Sequence, residues 1–299
     1  MATGLTTTAQ IDNAVRKYVA ESRYTMQENP GVVKSSIRIE HLPTRQGPSV
    51  NIPKFGTVNT TSLSEGVDMA QAQQITDTAI VITPSEYGAQ VVLTDMNLLE
   101  AKDEFFRVSG RILGESFDRQ QDETLCDDFA NYSLVIGAAT TVMNVGHVMA
   151  GHATLKYNGP ANGAAGRGGE PAPDPITLIQ TPAVLHDLAK SLTGGVGAAG
   201  ATQVTPNTAK AGFGLVNVPG LTIKSDINIT KDTGDDAIGG VFSREAQILV
   251  TLGAEADAER ERDASLRAWE INFVGRWARA EYNDAWGRGA TFDSTIPTS

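Results

Sequence analysis

Apolar positions change their period along the first half of the chain, and each change predicts an element. Ile11, Val15 and Val19 lie four apart within residues 9–21, the spacing of one helical stripe. From there to about residue 47 periodicity fades, and Pro30, Gly31, Pro43 and Gly47 punctuate the chain. That predicts an extended arm rather than a packed domain. Alternation begins at Val50, Ile52 and Phe55, with Pro53 marking an edge strand. Thr76–Thr83 is β-branched, and Tyr87–Leu93 resumes after a break at Pro84, so both predict strands. Between them Gly56–Gln74 is polar and lacks a core pattern. The expectation is a long two-stranded arm that cannot cover its own faces, and such a hairpin needs a partner surface.

At Thr94-Asp95 the period switches to that of a helix. Apolar residues recur as Leu98/Leu99, Phe105/Phe106 and Ile112/Leu113, then as Phe117, Leu125, Phe129 and Tyr132. A continuous helix over 95–132 would be a rod of about 55 Å. This stretch holds ten acidic residues against four basic ones, which predicts a strongly negative wet face. Farther on, 141–157 reads as a helix, Gly159–Pro175 as a loop, Ile176–Ile179 as a strand and Pro182–Leu192 as a helix. Val216–Ile229 predicts two short strands around Pro219-Gly220. Strands are expected at Val241–Phe242, at Gln247–Leu252 and on the alternating run with Trp269, Ile271 and Phe273, with a charged stretch at Glu255–Asp263 between the last two.

Composition narrows the classes. A chain of 299 residues with 40% hydrophobic content can bury a substantial core, and its longest apolar runs are too short to span a bilayer. Its first residues lack a basic segment followed by an apolar one, so no export is expected. One cysteine, Cys126, rules out an internal disulfide framework. A net charge of −11 argues against general nucleic-acid binding. Residues 1–47 carry +2, so the remainder carries −13, and a mildly basic arm suits docking on an acidic body of another copy.

Catalytic patterns are sparse. Gly195, Gly197 and Gly200 match a dinucleotide fingerprint in letters, but a helix precedes them where the phosphate site requires a strand. His147 and His152, five apart, fall on different helix faces, and no carboxylate neighbour completes a metal set there, so these two, with His41 and His186, read as ordinary surface or core histidines. Cys126 lies among carboxylates that would raise its thiol pKa, so it reads as a packing residue. Trp269, Trp277 and Trp286 read as core aromatics. No catalytic, cofactor-binding or metal-ligating residue is assigned, and no cofactor is expected.

The order of parts resembles the major capsid proteins of tailed bacteriophages, the Hong Kong 97 fold. The residues that carry the likeness are Ile52-Pro-Lys-Phe-Gly56, Ser64-Glu-Gly-Val-Asp68 and Ile82-Thr-Pro-Ser-Glu-Tyr-Gly88 running into Leu93-Thr-Asp95. Near the end they are Ile238-Gly-Gly-Val-Phe-Ser-Arg-Glu-Ala246 and the charged segment through Arg262-Asp263 to Trp269. The resemblance implies an α+β fold with an N-terminal arm (1–46), an extended β-hairpin loop (47–94), a peripheral domain (95–136 and 241–299, with a spine helix at 95–132) and an axial domain (137–240). It implies a non-enzymatic virion protein, assembled in the host cytoplasm, that self-associates into hexamers and pentamers of an icosahedral head. Double-stranded DNA would be enclosed without specific binding and without a membrane. A separate scaffold protein, a portal and decoration proteins are the further partners implied. Some relatives join hairpin to neighbour through a lysine–asparagine bond. The tip Thr57–Gln74 has no lysine, and Lys54 lies in the first strand, where it is expected to be an ordinary exposed residue. Two alternatives stand beside this reading: an encapsulin-like compartment shell, and a cytosolic nucleotide-binding enzyme using Gly195, Gly197 and Gly200.

Overall fold

The computed structural model describes residues 20, 31–42, 49–56, 58, 60, 62, 64–66, 74–75, 77–96, 103–157, 170–194, 220–253 and 257–297. Apart from Ala20, which is helical, the helix expected over 9–21 lies outside the described residues, as do Gly195, Gly197 and Gly200 and most of the tip between 57 and 74. Among the described residues, no helix is long and apolar enough to cross a membrane.

The first sheet is organised by one strand, β11 (Ala268–Glu281). Ile271, Phe273 and Trp277 point inward at every second position and are buried. β4 (Ser85–Thr94) pairs antiparallel with its first ten residues, from Ala268↔Thr94 to Trp277↔Ser85. β10 (Asp257–Asp263) pairs with the same stretch, and β9 (Gln247–Leu252) takes over from Trp277 to Glu281. The charged segment is therefore an edge strand, where alternating Glu and Arg deter pairing with other chains. Trp277 stacks on Tyr87 with centroids 4.2 Å apart and meets Phe117 edge-on at 5.8 Å.

The segment expected to be an extended arm is, over its last part, built into the core of its own subunit. β1 (Arg38–Leu42) pairs parallel with β9, and Val33 and Ile37 just before it are fully buried. Apolar Val and Ile spaced four apart in a Pro/Gly-flanked segment gave no periodic signal, because a single turn of 3-10 helix (Lys34–Ser36) orients both inward.

Helix α1 (Asp103–Cys126) continues as a 3-10 turn, Asp127–Asn131, so the expected rod ends its α geometry six residues early. Residues 97–102 lie outside the described residues, and the Asp95 carboxylate receives both Arg262 amine groups at 2.6 and 2.8 Å. Leu113, Phe117, Leu125 and Phe129 form the buried stripe. The adjacent stripe, one residue on, is Asp118, Asp122 and Cys126, and it is buried too. The negative face is thus not all wet. Asp122 Oδ1 accepts from the Val33 N–H at 2.9 Å and the Lys34 N–H at 3.4 Å, while Oδ2 accepts from the Asn228 side chain at 3.1 Å. Lys34 Nζ lies 3.5 Å from Asp118. At Gly31 a Cβ would come within 2.4 Å of Asp122 Oδ1, so only glycine admits this approach.

The second sheet runs β5–β12–β8–β6–β7. Its strands are β5 (Val135–Gly137), β6 (Ile176–Gln180), β7 (Leu221–Ser225), β8 (Asp236–Ser243) and β12 (Gly287–Asp293). β6 is buried at all five positions, as suits a strand covered on both faces. Helices α2 (Val145–Lys156) and α3 (Pro182–Gly194) cover one face through Val148, Leu155, Val184 and Leu188. α2 starts at an Asn144 cap, four residues later than expected, and β8 is longer than the expected Val241–Phe242. Of the two strands expected within Val216–Ile229, β7 alone falls in the described part. β12 joins this sheet although the chain has just left β11 in the other.

Two outcomes check this account. At Gly287 a Cβ would fall 1.9 Å from the Tyr132 ring, so Gly287→Ala is expected to cost about 1–3 kcal/mol, read as a lower urea midpoint with an unchanged slope. Asp226, beside Asp122, has its carboxyl pushed up to about 7 by burial first and by its hydrogen bond with Asp122 second. The folded protein then holds a proton that the unfolded chain releases between about pH 4 and 7, so stability falls as pH rises through that window. Asp226→Asn, whose amide can donate to Asp122 as the protonated acid does, is expected to flatten that fall and to be the more stable form at pH 8. Thermal melts of both proteins from pH 5 to 8 read the difference, and equal slopes would refute it.

Candidate self-association surface

β2 (Val50–Phe55) and β3 (Asp77–Ile82) pair antiparallel, with Val50 opposite Ile82 and Phe55 opposite Asp77. Alternation gives this ribbon two unlike faces. Ile52 and Ile82 are buried on the inner face, against Ile248 and Val250 of β9, with Ala278, Ala280 and Tyr282 alongside. Burial of each isoleucine contributes roughly 1.5–3 kcal/mol, enough to seat the base of the hairpin on its own body. The hairpin base is therefore not, as the sequence suggested, wholly dependent on a partner.

The outer face carries Asn51, Pro53, Phe55, Asp77, Ala79 and Val81, all exposed. Phe55 is 66% and Val81 62% accessible, with Ile75 just beyond at 64%. Pro53, Phe55, Ala79 and Val81 are neighbours across the two strands, so the apolar surface is contiguous rather than scattered. A continuous apolar sheet face of this kind marks a contact surface.

Polar groups fix the hairpin base. Lys54, expected to be exposed, is half-buried on the inner face, with its ammonium 5.9 Å from the centre of the Tyr282 ring. Its strand position alternates with Phe55, which sends it inward. The Tyr282 hydroxyl donates to the Pro53 carbonyl at 3.5 Å. Burial raises the neighbouring Glu281 carboxyl to about 7, with Asp284 adding to the rise and Lys54 opposing it.

Elsewhere the chemistry is structural. Asp122, Cys126 and Asp226 place one donor atom each within 4.8 Å of one another, the one such group among the described residues. Their atoms are already engaged. The Cys126 thiol donates to Asp226 Oδ2 at 3.9 Å, and Asp226 Oδ1 accepts from the Asn228 N–H at 2.9 Å. Burial, then Asp226 and Asp122, raises the Cys126 pKa far above its ordinary value, which opposes the thiolate a soft metal needs. The group is best described as a buried hydrogen-bonded clasp. His147 accepts the Asn144 N–H in a capping box and lies over Phe292 at 5.1 Å. His186 sits beside Asp187 at 3.4 Å, and His41 contacts the Thr251 hydroxyl. No two of the four histidines are brought together in these contacts. Trp277 is core, while Trp269 and Trp286 are half-buried, Trp269 beneath the Arg262 guanidinium at 5.4 Å.

Sequence reasoning missed the clasp. The signal was present as an acidic row, Asp118-x-x-x-Asp122, running beside the apolar row on the same helix.

No protein-family model matches the chain, and no curated protein matches it by sequence. Solved structures do. The head of Helicobacter pylori bacteriophage KHP40 aligns over 86% of this chain and 87% of its own, with a TM-score of 0.64 at 10% identity. The capsid of Ralstonia phage GP4 aligns over 87% and 88%, also at 0.64, with 14% identity. The mature capsid of bacteriophage PhiM1 aligns over 90% and 89%, at 0.60 and 13% identity. Over nearly its whole length, the chain has the mixed α+β fold of these bacteriophage capsid structures.

Proposed function

We propose that this chain is the major capsid protein of a tailed bacteriophage, a non-enzymatic shell subunit that self-assembles into hexamers and pentamers of an icosahedral head around double-stranded DNA. The observation that carries the reading is the apolar outer face of β2–β3 on a fold shared over 86–87% of the chain with capsid structures. A subunit that keeps such a face in water serves a second molecule, and a shell supplies one at every position. The Hong Kong 97-like parts follow the same division. Residues up to 46 are the arm, latched at Gly31–Ile37; 47–94 are the extended loop; α1 is the spine of a peripheral domain built on β11. The axial domain takes 137–240, with β8 and β12 completing its sheet.

The acidic chain fits a container. Its net charge of −11 disfavours adhesion of DNA to the wall, and the assembled product belongs to the virion. A separate scaffold protein, a portal and decoration proteins are the partners this assembly would use.

The hairpin register supplies the test. Because Phe55 faces Asp77, deletion of residues 57–74 leaves Gly56, Ile75 and Thr76 as a short connection that can close the ribbon. The truncated chain is expected to keep the far-ultraviolet spectrum and cooperative melt of the full chain, yet to form no stable shells in negative-stain images where the full chain does. Loss of the cooperative melt would make the tip part of the subunit's own core and refute the assignment.

A further inference from the structure

Asp122 and Asp226, both buried, meet where separate segments of the chain converge. Asp122 stands within α1, and its oxygens accept from the arm at Val33 and Lys34 and from Asn228 beyond β7. Asp226 is the first residue after β7. Its N–H donates to the Gln180 carbonyl of β6 at 3.0 Å, and its Oδ1 accepts from the Asn228 N–H. The pair therefore bridges α1 and the edge of the second sheet. Around it stand Asp118, Cys126 and Asp127 on α1, Lys34 on the arm and Lys224 on β7. The Lys34 ammonium lies 3.5 Å from Asp118, and the Lys224 ammonium donates to the Ser35 and Ser36 hydroxyls at 2.9 and 2.8 Å. What joins the two carboxyls is a hydrogen bond between them.

We propose that this pair is a pH-sensitive joint, which holds the segment Asp226–Ile229 against α1 while Asp226 keeps its proton and releases it when that proton leaves to solvent. The packing decides which partner yields. Asp122 is fixed in a helix between buried Phe117 and Leu125, and Val33 and Ile37 anchor the arm in the core. Segment 226–229 instead follows an edge strand, Ile227 is 81% accessible, and Ile229 is its one buried side chain beyond Asp226. The bonds from Lys224 to the arm keep β7 itself in place, so the opening begins beyond it. The tight contact of Tyr132 with Gly287, about 15 Å farther along the helix direction, stays closed.

Two charged carboxyls touching in a dry site repel strongly, and parting them into water relieves the repulsion. Burial first, and the bond to Asp122 second, push the Asp226 carboxyl up to about 7 in the closed form. In the released segment it returns to its ordinary value of about 3.9. The bound proton thus favours the closed form, and the opening constant grows about tenfold from pH 6 to 8, then levels off once the closed form has lost its proton too. The inference goes beyond the shell reading and concerns the single subunit.

Cys126, the sole cysteine, is 3% accessible and donates to Asp226 Oδ2, so its labelling by a maleimide reports the release. The rate in the full chain, divided at each pH by that of the urea-unfolded chain, removes the thiol's own titration. The expected quotient rises about tenfold from pH 6 to 8, is flat from 8 to 9, and at pH 8 is insensitive to urea below the unfolding transition. In Asp226→Asn it is expected to stay flat throughout and to be the lower of the two at pH 8. Removal of a carboxylate beside the thiol would by itself act in the opposite direction, towards faster labelling. The joint is overturned if the unaltered chain gives equal quotients at pH 6 and 8, if its quotient climbs with urea at the slope of global unfolding, or if Asp226→Asn keeps the rise. Should that variant fail to fold, the profile of the unaltered chain decides alone.

Discussion

One strand holds this molecule in register. β11 is hydrogen-bonded on both edges along most of its length, and every other sheet contact of the first body is made to it or through β9. Because side chains alternate, a slip of one residue would turn Ile271, Phe273 and Trp277 outward together. The stack of Trp277 on Tyr87 and its edge contact with Phe117 oppose that slip from two elements at once. The hairpin inherits its position from the same strand, since Ala278, Ala280 and Tyr282 extend β11 beneath Ile52 and Ile82.

The second constraint is polar. A helix with two adjacent buried rows, one apolar and one acidic, must find a partner for each. The apolar row meets the sheet; the acidic row meets Lys34 and the backbone N–H groups of the arm. A buried carboxylate accepting several N–H groups is well satisfied, whereas two such carboxylates side by side are not, and a shared proton relieves them. Asp226, beside Asp122, is the carboxyl that burial and that hydrogen bond push up, and the neutral Cys126 thiol completes the dry wall around them.

Elements that advertise themselves by a local period were legible: β2, β3, β4, β6, α3, β9 and the first half of β11 fall where apolar spacing put them. The elements that escaped are those whose reason lies far off in the chain. β1, with the sequence Arg-Ile-Glu-His-Leu, is a strand because β9 accepts it in parallel, as the contact between His41 and Thr251 across 210 residues illustrates. β12 is rich in glycine and poor in β-branched residues, and close approach explains it. At Gly287 any side chain would strike the Tyr132 ring, and at Gly289 one would press on the Phe129 carbonyl. The acidic row was misjudged as solvated because burial of a charge depends on its partners, which spacing does not display. The hairpin's inner face, likewise, was covered by residues some two hundred positions away.

The pairing of β4 with β11 also sets a timetable. Gln90 and Glu270, bonded across the two strands, are 180 residues apart. At a translation rate of about 5–20 residues per second, β2 through β4 wait roughly 10–35 s after emerging before their partner strand leaves the ribosome. During that interval the apolar inner and outer faces of the ribbon are both bare. Nascent chains crowded on one message would present such ribbons to each other at high local concentration, the condition under which premature edge pairing competes with folding. The strand order thus leaves the ribbon uncovered for that interval during synthesis.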